Sequence, residues 1–193
     1  MAPIIVIYFV WFVWMVSWFA AALWSNPTIK RAGAAREWFY RVVAVAGAYL
    51  MFGFHPFRFD NIYRLWDPLR GPIGWTMVGL VVVGFSFAWW ARIHLGRMWS
   101  PNVTRKSEHH IIDTGPYSAV RHPIYTGITL ASIATAAVQG APSAFLGAAL
   151  MTWGWYIKAR LEERFLREEL GPETYDSYAR RVAMLVPYVH WPL

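Results

Sequence analysis

The 193-residue chain contains no cysteine, which excludes disulfides, thiolate-ligated zinc, thiol catalysis and iron–sulfur clusters. Charge is also scarce. Only 15% of residues are Asp, Glu, Lys or Arg, against about 25% in ordinary globular chains, so an intrinsically disordered chain is ruled out. No Gly-x-Gly-x-x-Gly fingerprint is present, which argues against a soluble dinucleotide-type fold. No internal repeat or low-complexity linker interrupts the chain. What is abundant is apolar: 57% of residues are hydrophobic and 18% aromatic, including 13 tryptophans. That balance predicts an integral membrane protein.

The apolar residues fall in long runs. Pro3 to Trp24 is free of formal charge for 22 residues, and Gly71 to Ala91 for 21. About 20 apolar residues cross a bilayer core, so both read as spans. The first lacks the basic start and small-residue cleavage site of a signal peptide, so it reads as a retained helix. Trp11, Trp14 and Trp18 recur along it at helical spacing, as a stripe for lipid or for a neighbouring helix. A further span is expected at about 38–56, ended by His55-Pro56, with Arg41 able to snorkel from its start. His122 to Ile157 is charge-free for 36 residues and is broken only by Gln139-Gly140-Ala141-Pro142. This predicts two antiparallel helices, about 123–138 and 143–158, joined by a tight turn. Sixteen residues reach only about 24 Å, short for a hydrocarbon core of about 30 Å. Beyond Arg160 the chain becomes charged and helix-prone, Gly171-Pro172 breaks it, and a short helix is expected over about 173–181. An apolar tail with two prolines follows, from Val186 to Leu193.

The expected architecture is therefore all-α: a single membrane domain over 1–193, an integral bundle of about five transmembrane helices with a cytosolic C-terminal helical cap. Residues 1–91 form three N-terminal membrane helices, and 92–193 a second half built on the hairpin 123–158. Five spans put fifteen of the eighteen Lys and Arg residues on one side, leaving only Arg58, Arg64 and Arg70 on the other. The positive-inside rule then sets the N-terminus outside and the polar loops and tail in the cytoplasm, at an inner membrane in a bacterium. The net charge of +7 is a topology signal, and no nucleic-acid partner is expected.

Two polar stretches lie at the ends of the hairpin, Arg97 to Tyr125 and Lys158 to Arg181, and should be neighbours. The first contains Gly115-Pro116-Tyr117, a turn, and Arg121-His122-Pro123-Ile124-Tyr125-Thr126-Gly127. Arg121 and His122 offer nitrogen donors just before a helix whose first turn suits Pro123. Free N–H groups there favour an anion. The same features also fit an interfacial helix start with Arg121 on lipid phosphate. The second stretch carries Glu162-Glu163. These point about 100° apart on a helix, so one of the two is expected to face a site. A carboxylate suits a ribose diol or an ammonium group, and equally a solvated pair with Arg160 or Arg167. Arg160 and Arg92 sit at cytosolic ends of membrane helices. They are candidates for holding an anionic substrate.

The segment Arg121 to Gly127, followed about 40 residues later by Glu162-Glu163 and then Leu170-Gly171, Tyr175 and Tyr178, resembles the isoprenylcysteine carboxyl methyltransferase family. The related phospholipid N-methyltransferases share some of these features. Leu95-Gly96-Arg97-Met98-Trp99-Ser100 and His109 to Ile112 add to the likeness, which covers about residues 90–187. The resemblance implies S-adenosylmethionine as cofactor, bound at the cytosolic membrane face under the C-terminal helices. It implies a lipophilic acceptor entering from the bilayer, with membrane lipids as surroundings. Carried over by motif, His109, Ile111, Gly115, Tyr117, His122, Pro123, Tyr125 and Glu162 or Glu163 line the cofactor pocket, Ile111 largely through its backbone. The expected reaction is direct displacement at the sulfonium methyl, on a prenylcysteine-type carboxylate, another lipid or a small thiol. A membrane reductase of steroid-reductase type using NADPH is the rival enzyme, and a membrane scaffold the non-enzymatic alternative. Asp113-Thr114-Gly115 spells the aspartic-protease triplet, but that chemistry needs a second carboxylate copy, which is lacking. His109-His110 has no ligand set at metal spacing, so no metal is expected. Asn102-Val103-Thr104 matches the glycosylation sequon but falls on the side expected to be cytosolic.

Overall fold

A computed structural model of the chain describes residues 1–23, 30–31, 34–53, 64–99, 104–105 and 111–189. Apart from one two-residue pairing, Lys30–Arg31 with Thr104–Arg105, its regular structure is helical. The helices are α1 (Pro3–Ala22), α2 (Ala34–Phe52), α3 (Gly71–Leu95), the single turn α4 (Pro116–Ala119), α5 (Pro123–Gln139), α6 (Pro142–Leu170) and α7 (Pro172–Arg181). Prolines stand in the first turn of α1, α3, α4, α5, α6 and α7, where a missing N–H is harmless.

By length and composition, α1 and α3 are sufficient to cross a membrane. The five spans predicted from sequence go beyond that. The first turn of α2 carries Glu37, α5 has 17 residues, and the C-terminal half of α6 is charged. α1 is lined with exposed large side chains, among them Phe9, Phe12 and Phe19 at 64%, 62% and 70%. Such a surface is costly in water and natural in lipid.

Small residues set the packing. α3 crosses α5 where Gly84 meets Gly127: a Cβ built on Gly84 would stand 2.5 Å from the Gly127 carbonyl oxygen. α2 crosses α6 in the same way at Gly47 and Gly147, where a Cβ on Gly47 would lie 2.6 Å from the Gly147 carbonyl. Backbones can approach this closely only without side chains between them, and dispersion contacts are then the main attraction available in lipid. The tryptophan stripe of α1 turns inward. Trp11 is buried and donates its indole N–H to Thr135 Oγ1 on α5 at 2.9 Å. Trp14 stacks on Phe85, and Trp18 meets Trp89 and Trp99 edge-on. Of the two readings of that stripe, helix packing holds.

The α5–α6 turn falls at Gly140, whose left-handed backbone (φ 64°) suits glycine. It is pinned by Leu65 N–H to the Gly140 carbonyl at 2.8 Å and by the Trp66 indole to the Ala137 carbonyl at 2.9 Å. One boundary differs in consequence from the expected 143–158: α6 runs unbroken to Leu170, about 44 Å at 1.5 Å per residue. Glu162 and Glu163 therefore ride on the same rigid rod as the apolar stretch.

The α3–α5 crossing yields a test. Gly127→Val should lower the thermal unfolding midpoint in detergent, overpacking of this kind costing about 1–3 kcal/mol. Gly79→Ala, with nothing within 4 Å of its Cβ, should leave the midpoint unchanged or raise it slightly.

Candidate functional site

The chain from Val120 to Pro123 enters α5 in extended form because it is paired with the C-terminal tail. Val120 forms a parallel bridge with Ala183. The Arg121 N–H donates to the Ala183 carbonyl at 2.8 Å and the His122 N–H to Met184 at 3.1 Å. Thr126 Oγ1 donates to the Leu185 carbonyl at 2.6 Å. This short ladder brings the tail, α5 and α6 together.

Arg121 is buried within that junction. Its Nε donates to Glu163 Oε1 at 2.7 Å, and Nη1 donates to the Ala179 and Val182 carbonyls at 2.8 and 2.7 Å. The planar guanidinium thus binds a carboxylate and the end of α7 at once, which a lysine could not copy. His122 lies between the two glutamates. Nε2 is 3.2 Å from Glu163 Oε1, and Nδ1 is 3.5 Å from Glu162 Oε2. Tyr125, one turn into α5, donates its hydroxyl to Glu162 Oε1 at 2.6 Å. The rings of His122, Tyr125 and Trp155 form a continuous stack, 5.5 and 5.4 Å between centroids and 12° and 9° between planes.

The expectation that only one of the adjacent glutamates would reach the site is corrected here. Both do, because they approach one imidazole from opposite edges. They differ in exposure: the Glu162 side chain is 22% exposed and that of Glu163 5%. Burial pushes the Glu163 carboxyl up, but hydrogen bonds and charge from His122 and Arg121 outweigh it and bring the pKa down to about 2. Burial likewise opposes the charge on Glu162. His122, Lys158 and Tyr125 reverse the effect and hold it below the usual carboxylate range. For His122 burial favours the neutral ring, and the two carboxylates more than restore the imidazolium, raising its pKa.

The remaining candidates divide. Pro123 is buried at the first position of α5. Tyr117 is buried on α4, 3.5 Å by its hydroxyl from the Ala91 carbonyl, and its own carbonyl accepts from Tyr178 Oη at 2.9 Å. Gly115 (φ 57°) turns the chain into α4 against the ring of His94. Ile111 packs on the Tyr175–Tyr178 cluster of α7. His109 lies outside the described residues. Arg160 is drawn to the cluster, with Nη1 3.6 Å from Glu163 Oε2. Arg92 is not: it is fully buried, donates to the Gly96 and Ala21 carbonyls at 2.7 and 2.8 Å, and lies 4.5 Å over the Trp99 ring. Its place is the joint between α1 and α3.

Sequence reasoning passed over Lys158 and Trp155 as site residues. Both share the face of α6 that carries Glu162, and Lys158 Nζ is 3.9 Å from Glu162 Oε1. The signal was present, since Lys158 is the first charge after the 36-residue apolar run. Among the described residues no group of His, Cys, Asp or Glu is arranged to hold a metal ion.

Comparison with known proteins bears out the resemblance read from the sequence. The model of the isoprenylcysteine carboxyl methyltransferase family matches residues 77–168, which include Arg121, His122, Tyr125, Glu162 and Glu163. Protein-S-isoprenylcysteine O-methyltransferase B of Arabidopsis thaliana is 29% identical over 114 residues, 58% of this chain and 57% of that protein. Methanethiol S-methyltransferase of Pseudomonas sp. (strain GM41(2012)) is 44% identical over 71 residues, 37% of this chain and 26% of that protein. Protein-S-isoprenylcysteine O-methyltransferase of Saccharomyces cerevisiae (strain ATCC 204508 / S288c) is 29% identical over 86 residues, 44% and 36% of the two chains. The chain spans about half the length of the plant relatives it matches.

Two outcomes follow from the cluster. Arg121→Met should cost about 3–5 kcal/mol, the cost of leaving Glu163 buried without its partner, read as a fall in the unfolding midpoint. The second concerns pH. The glutamates stabilise the fold above the ordinary carboxylate value of 4.5, and lose that contribution as pH falls through their lowered folded values. His122 contributes fully below the ordinary 6.5, and loses its contribution as pH rises through its raised folded value. The midpoint should therefore peak between these limits and decline on the alkaline side. In His122→Asn the alkaline decline should flatten, and an unaltered decline would assign it to other groups.

Proposed function

We propose that this chain, which carries the isoprenylcysteine carboxyl methyltransferase family pattern over residues 77–168, is a membrane methyltransferase that uses S-adenosylmethionine and acts on a lipophilic acceptor. The observation that carries the reading is the convergence of the Arg121–His122–Tyr125 segment with Glu162 and Glu163 at the ends of two apolar helices. Taken with the family match, this favours one site built from α5, α6 and the tail.

The residues fit the cofactor. Glu162 keeps part of its carboxylate accessible while its neighbours His122 and Glu163 are almost fully buried, which suits a ribose diol. Trp155, stacked on Tyr125 and through it in line with His122, offers a flat, electron-rich ring to an adenine or a sulfonium. When bound, S-adenosylmethionine would supply a methyl activated by a positive sulfur, open to direct displacement by an acceptor lone pair with the carbon–sulfur electrons left on sulfur. With an anionic acceptor no proton has to move. The chain's own task is to align the partners, keep water out and hold the acceptor's charge. Such alignment is worth roughly 7–11 kcal/mol in favourable cases. Glu163 acts behind Glu162: it fixes Arg121 and His122, and through them the carboxylate and tyrosine that meet the ligand. Ile111, Gly115 and Tyr117 shape the cofactor side around the α4 turn and Pro123 does so at the start of α5, while Arg160 stands at the acceptor side.

The acceptor classes named for the relatives are a protein S-isoprenylcysteine and methanethiol. A prenylcysteine carboxylate or a small thiol is therefore the class proposed here. The proposed setting is a single membrane domain of five spans, the site on the cytoplasmic face and the N-terminus outside, a topology that would gather fifteen of the eighteen Lys and Arg on the cytoplasmic side, as the positive-inside rule asks.

Calorimetric titration of the detergent-purified chain with S-adenosylhomocysteine tests this reading. Wild type should bind. Tyr125→Phe and Glu162→Gln should each weaken binding by about 10- to 100-fold while remaining folded. Absence of binding by folded wild type, or binding of NADPH in its place, would overturn the proposal in favour of a scaffold or a reductase.

A further inference from the structure

Beyond Met184 the tail leaves the core. Met184 is fully buried, whereas Val186, Tyr188 and Val189 are 51%, 95% and 44% exposed. These residues make a tight turn, with Pro187 and Tyr188 at its corners and the Val189 N–H donating to the Val186 carbonyl at 3.1 Å. Tyr188 has a left-handed backbone, φ 66°, and no other non-glycine residue does among those described. Proline and then a left-handed residue is the order of a type II turn, which ordinarily takes glycine at the second corner. A bulky side chain there is an outlier. Packing within the described chain does not account for it, because the ring is almost fully exposed. The strained backbone holds an aromatic ring outward on an apolar turn, and strain of this kind is kept where it serves a function.

The course of the tail indicates what that ring meets. Ala183 pairs with Val120 in parallel, the Met184 carbonyl accepts from the His122 N–H, and the Leu185 carbonyl accepts from Thr126 Oγ1. The tail therefore advances in step with α5, away from the charged cluster and into the run that is charge-free from His122 to Ile157. On the polar side of the turn, α7 ends in Arg180 and Arg181, both exposed, the second also 3.3 Å from Asp113. Exposed apolar surface from α1 lies at the same end of the molecule. Phe19 is 70% exposed near the end of that helix. The Ala21 carbonyl is held by Arg92 at the end of α3, and Tyr117 of α4 reaches the Ala91 carbonyl there. Cations, then a tyrosine, then apolar side chains is the order met across a lipid headgroup layer. Tyrosine is enriched at that level because its ring is apolar and its hydroxyl polar.

We infer that the turn Val186–Val189 is a membrane-interface anchor, with Tyr188 seated among lipid headgroups and the first methylenes below them. The anchor rests on the membrane setting proposed above and not on the methyl-transfer chemistry. It bears on the site all the same. The segment it pins is the one that pairs with the backbone of Arg121 and His122, so the bilayer helps to hold one wall of the charged cluster.

The chain has no cysteine, so a single introduced cysteine gives a unique labelling position. Tyr188→Cys, Phe19→Cys and Glu173→Cys are each labelled with a nitroxide in the full chain and reconstituted into vesicles of equal parts phosphatidylcholine and phosphatidylglycerol. Collision with oxygen, which concentrates in lipid, is compared with collision with a water-soluble nickel chelate. Glu173, exposed in the first turn of α7, supplies the water reference, and Phe19 the lipid reference. The label replacing Tyr188 should show an oxygen-to-nickel ratio several-fold above that at Glu173 and approaching that at Phe19. Val186→Cys gives the same reading from the other arm of the turn if Tyr188→Cys fails to fold. A ratio equal to that at Glu173 overturns the anchor. Protection from both reagents also overturns it: with spin–spin broadening the turn belongs to a contact with a second copy of the chain, and without broadening it is covered by its own chain. A water-like ratio at Phe19 as well would overturn the membrane setting itself, whereas a lipid-like Phe19 with a water-like Tyr188 overturns the anchor alone.

Discussion

Two carboxylates withdrawn from water next to each other are the constraint on which the rest of this structure depends. Left alone, neither Glu162 nor Glu163 would remain charged, because desolvation of a carboxylate costs several kcal/mol. The chain meets the requirement with Arg121 and His122, consecutive residues whose side chains reach the pair from the extended segment that enters α5. Satisfying Arg121 then requires carbonyls, which α7 and the residue after it provide through Ala179 and Val182. The backbone of the same two residues binds the tail at Ala183 and Met184. One charge problem thus fixes the entry of α5, the rotation of α6 and the seat of the C-terminal segment.

That arrangement needs α5 and α6 held in register, and the glycine crossings do so. Gly127 lies one turn after Pro123 and presses α5 onto α3, while Gly147 and Gly154 press α6 onto α2. α6, with 29 residues, is the longest of the described helices. Its first half packs small apolar residues, and its second half carries the charges that meet Arg121 and His122. Rigidity of the rod converts a position in the apolar half into a position at the polar cluster.

Much of this was legible in the sequence, and for physical reasons. Charge-free runs announced α1 and α3, Gly140-Ala141-Pro142 announced the hairpin turn, and Gly171-Pro172 announced the break before α7. The order of Arg121-His122-Pro123 and Glu162-Glu163 announced the cluster. Three features were out of reach. The angular rule for adjacent helical residues did not foresee that an imidazole has two edges, so that Glu162 and Glu163 both bind it. Arg92 and Arg160 looked alike at helix ends, yet one is turned onto carbonyls of α1 and the α3 terminus and the other onto Glu163. Tyr40 gave no signal, because its relation to Lys158 exists only once Gly47 and Gly147 bring α2 against α6.

Hydrogen exchange of the full chain in detergent, with and without S-adenosylhomocysteine, tests most directly that the charged cluster is the ligand site. The account predicts that added protection concentrates in two stretches, the segment 120–126 and the α6 segment 155–163, with the paired tail around 183–185 following. Protection confined to other helices, or none at saturating ligand, would contradict it.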